Sequence, residues 1–423
     1  MRIVGGSATM DQHADAYMQR DKYVDAVVCS PARRKLIAAG PGTGKTHLFR
    51  KIVEGKAKCL TLTFVNALVE DLSRELLGLS EVKTLHGFAR GQLRMMVSED
   101  VRVYPRLSQV IQKDADVLRG ERVDFDRLFH TKSELDDRLR FYRTRRRYYG
   151  HYGFSDLVYT VVLCFERNPE RIPAYDQIVV DEFQDFNALE VALIELLATK
   201  SPILIVGDDD QALYESLKSA SPDHIRARHA GGAEGYVSFD LPYCSRSSRV
   251  IVKAVQDIVR RSTENGLLAG RVDKPFEYFP CCEMDEISGA NPHIVFCQLF
   301  DRQIPWKIQQ ELLEITRTVR EKYTVLIISP YSAHCQSIRE GLTVKGFENV
   351  QFADRGGRAC PPLLDGLRLL LEDSDSNLGW RVAAEAILDG PAFEEVLRSA
   401  ASQNGRMVDY LGSELKAKVR EVL

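Results

Sequence analysis

No apolar run in this 423-residue chain is long enough to cross a bilayer, and residues 1 to 10 carry no apolar segment of signal-peptide length. A cytoplasmic protein with no membrane partner is expected. The nine cysteines are scattered, with no Cys-x-x-Cys pair and no histidine cluster near them, which argues against a disulfide framework and against a zinc site. A marked excess of either charge is also lacking. The formal net charge is −3, so any polyanion must be held by a local basic surface rather than by the global field. Internal repeats and low-complexity stretches are absent. What is present, 44% hydrophobic and 28% charged residues, can build the cores of roughly two to four domains.

Short apolar runs bounded by Gly, Asp or Pro alternate with helix-like stretches: Leu36 to Ala39, Cys59 to Phe64, Ile178 to Val180, Ile203 to Val206 and Val237 to Leu241. This alternation predicts an α/β fold with a mostly parallel sheet and crossover helices, whose ligands sit where strands end. At the end of the first run stands Ala39-Gly40-Pro41-Gly42-Thr43-Gly44-Lys45-Thr46. Gly40, Gly42 and Gly44, with Thr43 between them, leave backbone N–H groups free to face phosphate oxygens at a helix N-terminus. Lys45 is placed to reach the β- and γ-phosphates, and Thr46 to hold Mg²⁺. About 135 residues later, Val179-Val180-Asp181-Glu182-Phe183-Gln184-Asp185 supplies carboxylates. Asp181 would bind the metal directly or through water, and Glu182 would polarise the attacking water. Together the two segments predict hydrolysis of a nucleotide with Mg²⁺, not binding alone.

Asp-Glu-Phe-Gln-Asp at 181 to 185 resembles the second motif of the UvrD/Rep/PcrA-type superfamily 1 (SF1A) DNA helicases, and further motifs follow the family order. Thr61-Leu62-Thr63-Phe64-Val65-Asn66, Thr84-Leu85-His86-Gly87-Phe88 and Val206-Gly207-Asp208-Asp209-Asp210-Gln211-Ala212-Leu213-Tyr214 resemble three of them. Arg246, in Cys244-Ser245-Arg246-Ser247, matches the arginine of the fourth motif. The resemblance implies a RecA-like P-loop NTPase core using ATP and Mg²⁺. Within it Gln211 senses the γ-phosphate, Arg246 stabilises charge there, and Thr63, Asn66, His86 and Tyr214 face the DNA strand or relay its presence. By spacing alone Thr63 and Asn66 would cap a helix and His86 would satisfy a loop.

The chain also departs from the family. Ser245 stands where the family has an adenine-stacking tyrosine, with Tyr243 the alternative ring. The Trp-Arg after the third motif is replaced by Glu215-Ser216-Leu217-Lys218. Gln12 and Gln19 are both candidates for the adenine-reading glutamine. The Thr-x-His-x-x-Lys-Gly-Leu-Glu segment and the final arginine-bearing motif do not occur before Leu423; Thr343 to Glu348 imitates the first but reads as a helix end at Gly346. The expectation is either a longer chain or a variant lacking half of its second core domain.

The predicted organisation is a first RecA-like core domain in two parts, 1–90 and 175–235, and a helical insertion over 91–174. A partial second RecA-like domain over 236–360, with strands at His293 to Cys297 and Thr324 to Ser329, and a helical segment over 361–423 follow. Within the insertion, arginines including Arg143 and Arg146 interleave with Phe141, Tyr142, Tyr148, Tyr149 and Tyr152. Cations with rings suit a single-strand or junction surface, a docking face for a partner, or a plain solvated face. Two functions are expected: a DNA helicase or translocase moving 3′ to 5′, or a nucleotide- or DNA-sensing subunit that gates a partner nuclease in DNA repair or antiviral defence. A small-molecule kinase on the same loop would leave Gln211 and the 181 to 185 motif without a role.

Overall fold

The computed structural model describes residues 10–64, 66–97, 101–212, 219–231, 235–290, 293–318, 323–352, 362–403 and 405–422. In chain order, α1 (Met10–Cys29), β1 (Arg34–Ala38), α2 (Lys45–Val53), β2 (Cys59–Thr63), α3 (Asn66–Glu75), β3 (Glu81–Thr84) and α4 (Leu85–Val97) come first. The helices α5 (Leu107–Arg119), α6 (Phe125–His130), α7 (Asp137–Tyr149) and α8 (Phe154–Arg167) interrupt the sheet. It resumes with β4 (Gln177–Val180), α9 (Ala188–Ala198), β5 (Ile203–Gly207), α10 (Asp223–Gly231) and β6 (Val237–Phe239).

These strands form one sheet in the order β3-β2-β4-β5-β1-β6, and every pairing is parallel. Leu36, Ile37, Leu60, Leu62, Ile178, Val179, Val180 and Ile203 to Val206 are all fully buried. A sheet covered on both faces demands such uninterrupted apolar strands, which is why they were visible as runs. β3 escaped notice because Glu81-Val82-Lys83-Thr84 is a charged edge strand with one face in water. Helix α2 buries Leu48, Phe49, Ile52 and Val53, one face of a helix, against the sheet. Helix α9 starts at a reciprocal cap. Asn187 Oδ1 accepts from Glu190 N at 3.1 Å, and Asn187 N donates to Glu190 Oε2 at 3.0 Å.

The sheet order decides what lies side by side. The ends of β4, β5 and β1 are neighbours, so the 181 to 185, 208 to 211 and 39 to 46 segments share one rim, with the ends of β2 and β3 next along it.

After the sheet come β7 (Tyr243–Cys244), α11 (Arg249–Glu264), β8 (Glu277–Tyr278) and α12 (Cys282–Ala290), with β7 and β8 paired in parallel. Residues 294–364 form a separate compact unit containing α13 (Ile304–Thr318) and α14 (Ser332–Val344). These helices meet closely at Gly341, where a Cβ would lie 2.5 Å from Pro305. The strands expected at His293 to Cys297 and Thr324 to Ser329 do not form: both segments are irregular, and Phe296 and Leu326 are exposed. An apolar run becomes a strand only when a neighbour supplies its hydrogen bonds, and among the described residues of this unit none does.

The remaining helices are α15 (Pro362–Glu372), α16 (Asn377–Ile387), α17 (Gly390–Ser402) and α18 (Ser413–Val422), and from Asp365 onward they belong to the same compact unit as the sheet. They extend the core of the 101 to 167 helices. Asp114, fully buried, accepts from Arg145 Nε at 2.9 Å, from Tyr149 Oη at 2.5 Å and from Arg381 Nε at 3.1 Å. Tyr148 Oη donates to Gly405 O at 2.8 Å. Among the described residues, no helix is long and apolar enough to cross a membrane.

Candidate active site

The phosphate loop leaves β1 with Ala39 N donating to Gly207 O at 2.9 Å, which ties it to the end of β5. Gly42 and Gly44 both take left-handed backbone (φ +70° and +84°), conformations that a side chain strains. Thr43 is buried and its hydroxyl donates to Gly40 O at 3.0 Å, closing the turn from inside. Gly44 is the N-cap of α2 and has no side chain to cap it, so the first amides of the helix stay available to an anion. Lys45 and Thr46 open that helix.

Across the rim, Asp181 ends β4 nearly buried, its N–H donating to Leu62 O at 2.9 Å. Glu182 adopts left-handed backbone (φ 51°, ψ 47°), a strain of about 1 kcal/mol in a non-glycine residue. Its N–H donates to Asp181 Oδ1 at 3.0 Å, and its Oε2 lies 3.8 Å from Lys45 Nζ. Burial and the neighbouring Glu182 push the Asp181 carboxyl up to about 6, while Lys45 pulls it down. A buried carboxylate raised in this way is a site that a divalent cation stabilises, and with the Thr46 hydroxyl on the facing helix the donor set is the hard-oxygen kind that suits Mg²⁺.

Between these two lies the third loop. Gln211 Nε2 donates to Asp208 Oδ2 at 2.6 Å, and Asp208 N donates to Gln184 Oε1 at 2.9 Å. Gln184 in turn donates from Nε2 to Glu182 Oε2 at 2.9 Å. Arg246 arrives from beyond β7: Ser245 N donates to Gly42 O at 2.9 Å, and Arg246 Cβ stands 2.4 Å from where a Cβ on Gly42 would be. Its side chain is exposed, with no acidic partner among the described residues. Glu182, Gln211, Arg246, Lys45 and Asp181 are thus gathered around one loop. A cleft of about 900 Å³ opens beside Gly40, Pro41, Asp208 and Gln211.

Residues 24–217 match a family model described as an AAA domain. The ATP-dependent DNA helicase PcrA of Staphylococcus aureus (strain Mu50) is 27% identical over 281 residues, which cover 61% of this chain and 35% of that protein. The PcrA of Staphylococcus epidermidis (strain ATCC 12228) is 27% identical over 284 residues, 61% of this chain and 36% of that one. Over these residues the chain is similar to the UvrD/PcrA-like superfamily 1 helicases. It spans about a third of the length of the curated relatives it matches. Neither match speaks to a nuclease partner.

The residues expected from the resemblance to face a DNA strand are placed unequally. Thr63 ends β2 fully buried, with no hydrogen-bond partner for its hydroxyl among the described residues. Asn66 opens α3, but its side chain lies outside the described residues, as does Tyr214. His86, in the first turn of α4, has Nε2 3.7 Å from Glu190 Oε1 and its ring edge-on to Phe154. Tyr243, the alternative ring to the one expected at Ser245, packs between Tyr23 of α1 and Phe279.

The basic-aromatic stretch is divided: Arg138, Arg140 and Arg147 are exposed, while its rings are buried or half-buried. Tyr142, Arg145 and Tyr149 recur at helical spacing on the buried face of α7. Arg146 reaches inward to Asp156 Oδ2 at 3.3 Å and Thr160 Oγ1 at 3.2 Å, with its guanidinium over Tyr152. The rings expected to stack on bases are therefore packing or covered by arginine. Arg143 lines a small pocket of about 210 Å³ with Arg146 and Arg167 and has no acidic partner among the described residues. Burial, then Arg146, Arg147 and Arg167, lower its pKa.

Sequence reading also missed Arg226, Arg271 and Lys274, which surround Asp208, Asp209 and Asp210. Three adjacent carboxylates near a buried strand end were the available signal, since they require nearby cations.

Proposed function

We propose that this chain is the ATP-hydrolysing motor of a DNA helicase or translocase that single-stranded DNA stimulates and that moves 3′ to 5′. The observation that carries this reading is the gathering of Lys45, Glu182, Gln211 and Arg246 around one phosphate loop, from four segments far apart in sequence. The loop amides and Lys45 bind the β- and γ-phosphates. Asp181 and Thr46 would hold Mg²⁺, which neutralises charge developing between those phosphates. Glu182 orients the attacking water, held by Gln184 on one side. Gln211 and Arg246 meet the γ-phosphate, Arg246 with fixed donors matched to its oxygens.

DNA would run along the rim beyond β4, where Thr63, Asn66 and His86 sit at the ends of β2 and β3 and Tyr214 follows the third loop. Arg143 would add a phosphate contact from the helical insertion. The insertion over 91–174, with core parts at 1–90 and 175–235, fits such a motor, and 236–360 would supply part of its second jaw.

The site assignment is tested by nucleotide binding and turnover in Lys45→Ala and Glu182→Gln. Lys45→Ala should lose both. Glu182→Gln should keep binding and lose turnover by roughly 10²-fold or more, the scale of a general base. Undiminished turnover in either variant would refute the assignment.

A further inference from the structure

A short segment after α11 grips the third loop with three consecutive contacts. Arg271 Nε lies 2.9 Å from Asp210 Oδ1, Val272 N donates to Asp209 Oδ2 at 2.9 Å, and Lys274 reaches all three aspartates. Its ammonium is 2.8 Å from Asp208 Oδ1 and 3.0 Å from Asp210 Oδ2, and it also bonds Asp209 Oδ1. Arg226 Nε, from α10, donates to Asp209 Oδ2 at 3.0 Å.

The three carboxylates lie within 4.8 Å of one another, close enough to hold a metal ion. Lys274, itself 7% exposed, occupies the cation position instead. Its ammonium has three donors and meets three acceptors. Burial alone would lower its pKa, but the aspartates outweigh burial and raise it, so the cation persists.

Asp208 is the hub of this arrangement. Its Oδ1 takes Lys274 and the N–H of Asp210 (3.1 Å), its Oδ2 takes Gln211 Nε2, and its own N–H goes to Gln184, which holds Glu182. An unbroken chain of hydrogen bonds therefore links Lys274 to the carboxylate beside Lys45. Two residues further on, the Phe276 ring covers the phosphate loop: a Cβ on Gly40 would lie 2.7 Å from it. One segment touches both the third loop and the phosphate loop.

We propose that Lys274 is a positioning residue for hydrolysis, neutralising and orienting Asp208 so that Gln211 and, through Gln184, Glu182 are held at the mouth of the phosphate loop. In this role it acts through Asp208 rather than on the reacting atoms. Without its cation, Asp208 keeps no charged partner among the described residues, since Arg226 and Arg271 hold Asp209 and Asp210; the loop relaxes, and Gln211 loses its fixed partner. The proposal rests on the reading of this site as ATP-hydrolysing.

The test compares Lys274→Gln, which keeps a hydrogen-bonding side chain but no charge, with Lys274→Arg, which restores the charge. In the nucleotide-free protein, amide hydrogen exchange at residues 209 to 212 should accelerate roughly ten-fold or more in Lys274→Gln and return toward wild type in Lys274→Arg. Turnover should fall by roughly ten-fold or more in Lys274→Gln, while the Kd for a non-hydrolysable ATP analogue changes less than about three-fold. If Lys274→Gln does not fold, Arg271→Gln, at the more exposed end of the segment, should show the same exchange effect confined to Asp210 and Gln211. Wild-type exchange at 209 to 212 in a folded variant would overturn the proposal. So would unchanged turnover in a protein whose activity Lys45→Ala abolishes. Turnover indifferent to Lys45→Ala would refute the ATPase reading instead, and the exchange result would then decide the role of Lys274 alone.

Discussion

Gly42 and Gly44 share a left-handed backbone but not a neighbourhood. A Cβ on Gly44 meets nothing within 4 Å, whereas one on Gly42 would collide with Arg246 and approach Cys244 Sγ at 3.3 Å. Conformational strain of about 1 kcal/mol applies to both, and the collision to one. In the nucleotide-free protein, Gly42→Ala should therefore lower the melting temperature more than Gly44→Ala. Equal losses would mean that Arg246 is not seated on the loop. Glu182 carries its own strain at a position where the carboxylate must face both Lys45 and Gln184. A residue held off its preferred backbone persists because several partners agree on it, and here they are Asp181, Gln184 and Lys45.

At the scale of elements, helix α7 shows why composition misled. Arginines and tyrosines in alternation suggest a nucleic-acid surface, but the helical period turns Tyr142, Arg145 and Tyr149 inward, and their counter-charge, Asp114, lies on α5. Nothing in the local sequence announces that partner. By contrast β1, β2, β4 and β5 were legible, because strands buried on both faces must be apolar throughout, while the charged edge strand β3 was not. The phosphate loop, Asp181 and Glu182 were legible because each sits where such a strand ends. Lys274 was not, because an ion pair across more than sixty residues leaves no periodicity to read. The buried junction of α7 and α8 also makes a pH prediction. Burial pushes the Asp156 carboxyl up to about 7, with Arg146 offsetting only part of the effect. The unfolded chain releases that proton near pH 4, so between about pH 4 and pH 7 the folded state binds more protons than the unfolded one. This group's contribution is full below that window and is lost as pH rises through it. Denaturant midpoints measured across the window should show a smaller fall with rising pH in Asp156→Asn than in the wild type; identical slopes would mean that Asp156 is ionised throughout.

On the scale of the whole molecule, the parallel sheet brings three loops to one rim, and a segment from beyond the sheet then closes over two of them. Hydrogen bonds run from the phosphate loop to Ser245, and from Glu182 through Gln184 and Asp208 to Lys274. The rim is in this way hydrogen-bonded to chain that lies beyond the sheet, a link that the proposed motor would use to couple hydrolysis to DNA. The helices at 362 to 422 join the 101 to 167 helices through the Asp114 cluster and brace the insertion that would carry the Arg143 contact.

The most direct measurement is ATP turnover against increasing single-stranded DNA, followed by unwinding of duplexes bearing a 3′ or a 5′ tail. The account predicts stimulation of roughly ten-fold or more, abolished by Lys45→Ala, with the 3′-tailed duplex opened in preference. Turnover that ignores DNA would contradict it.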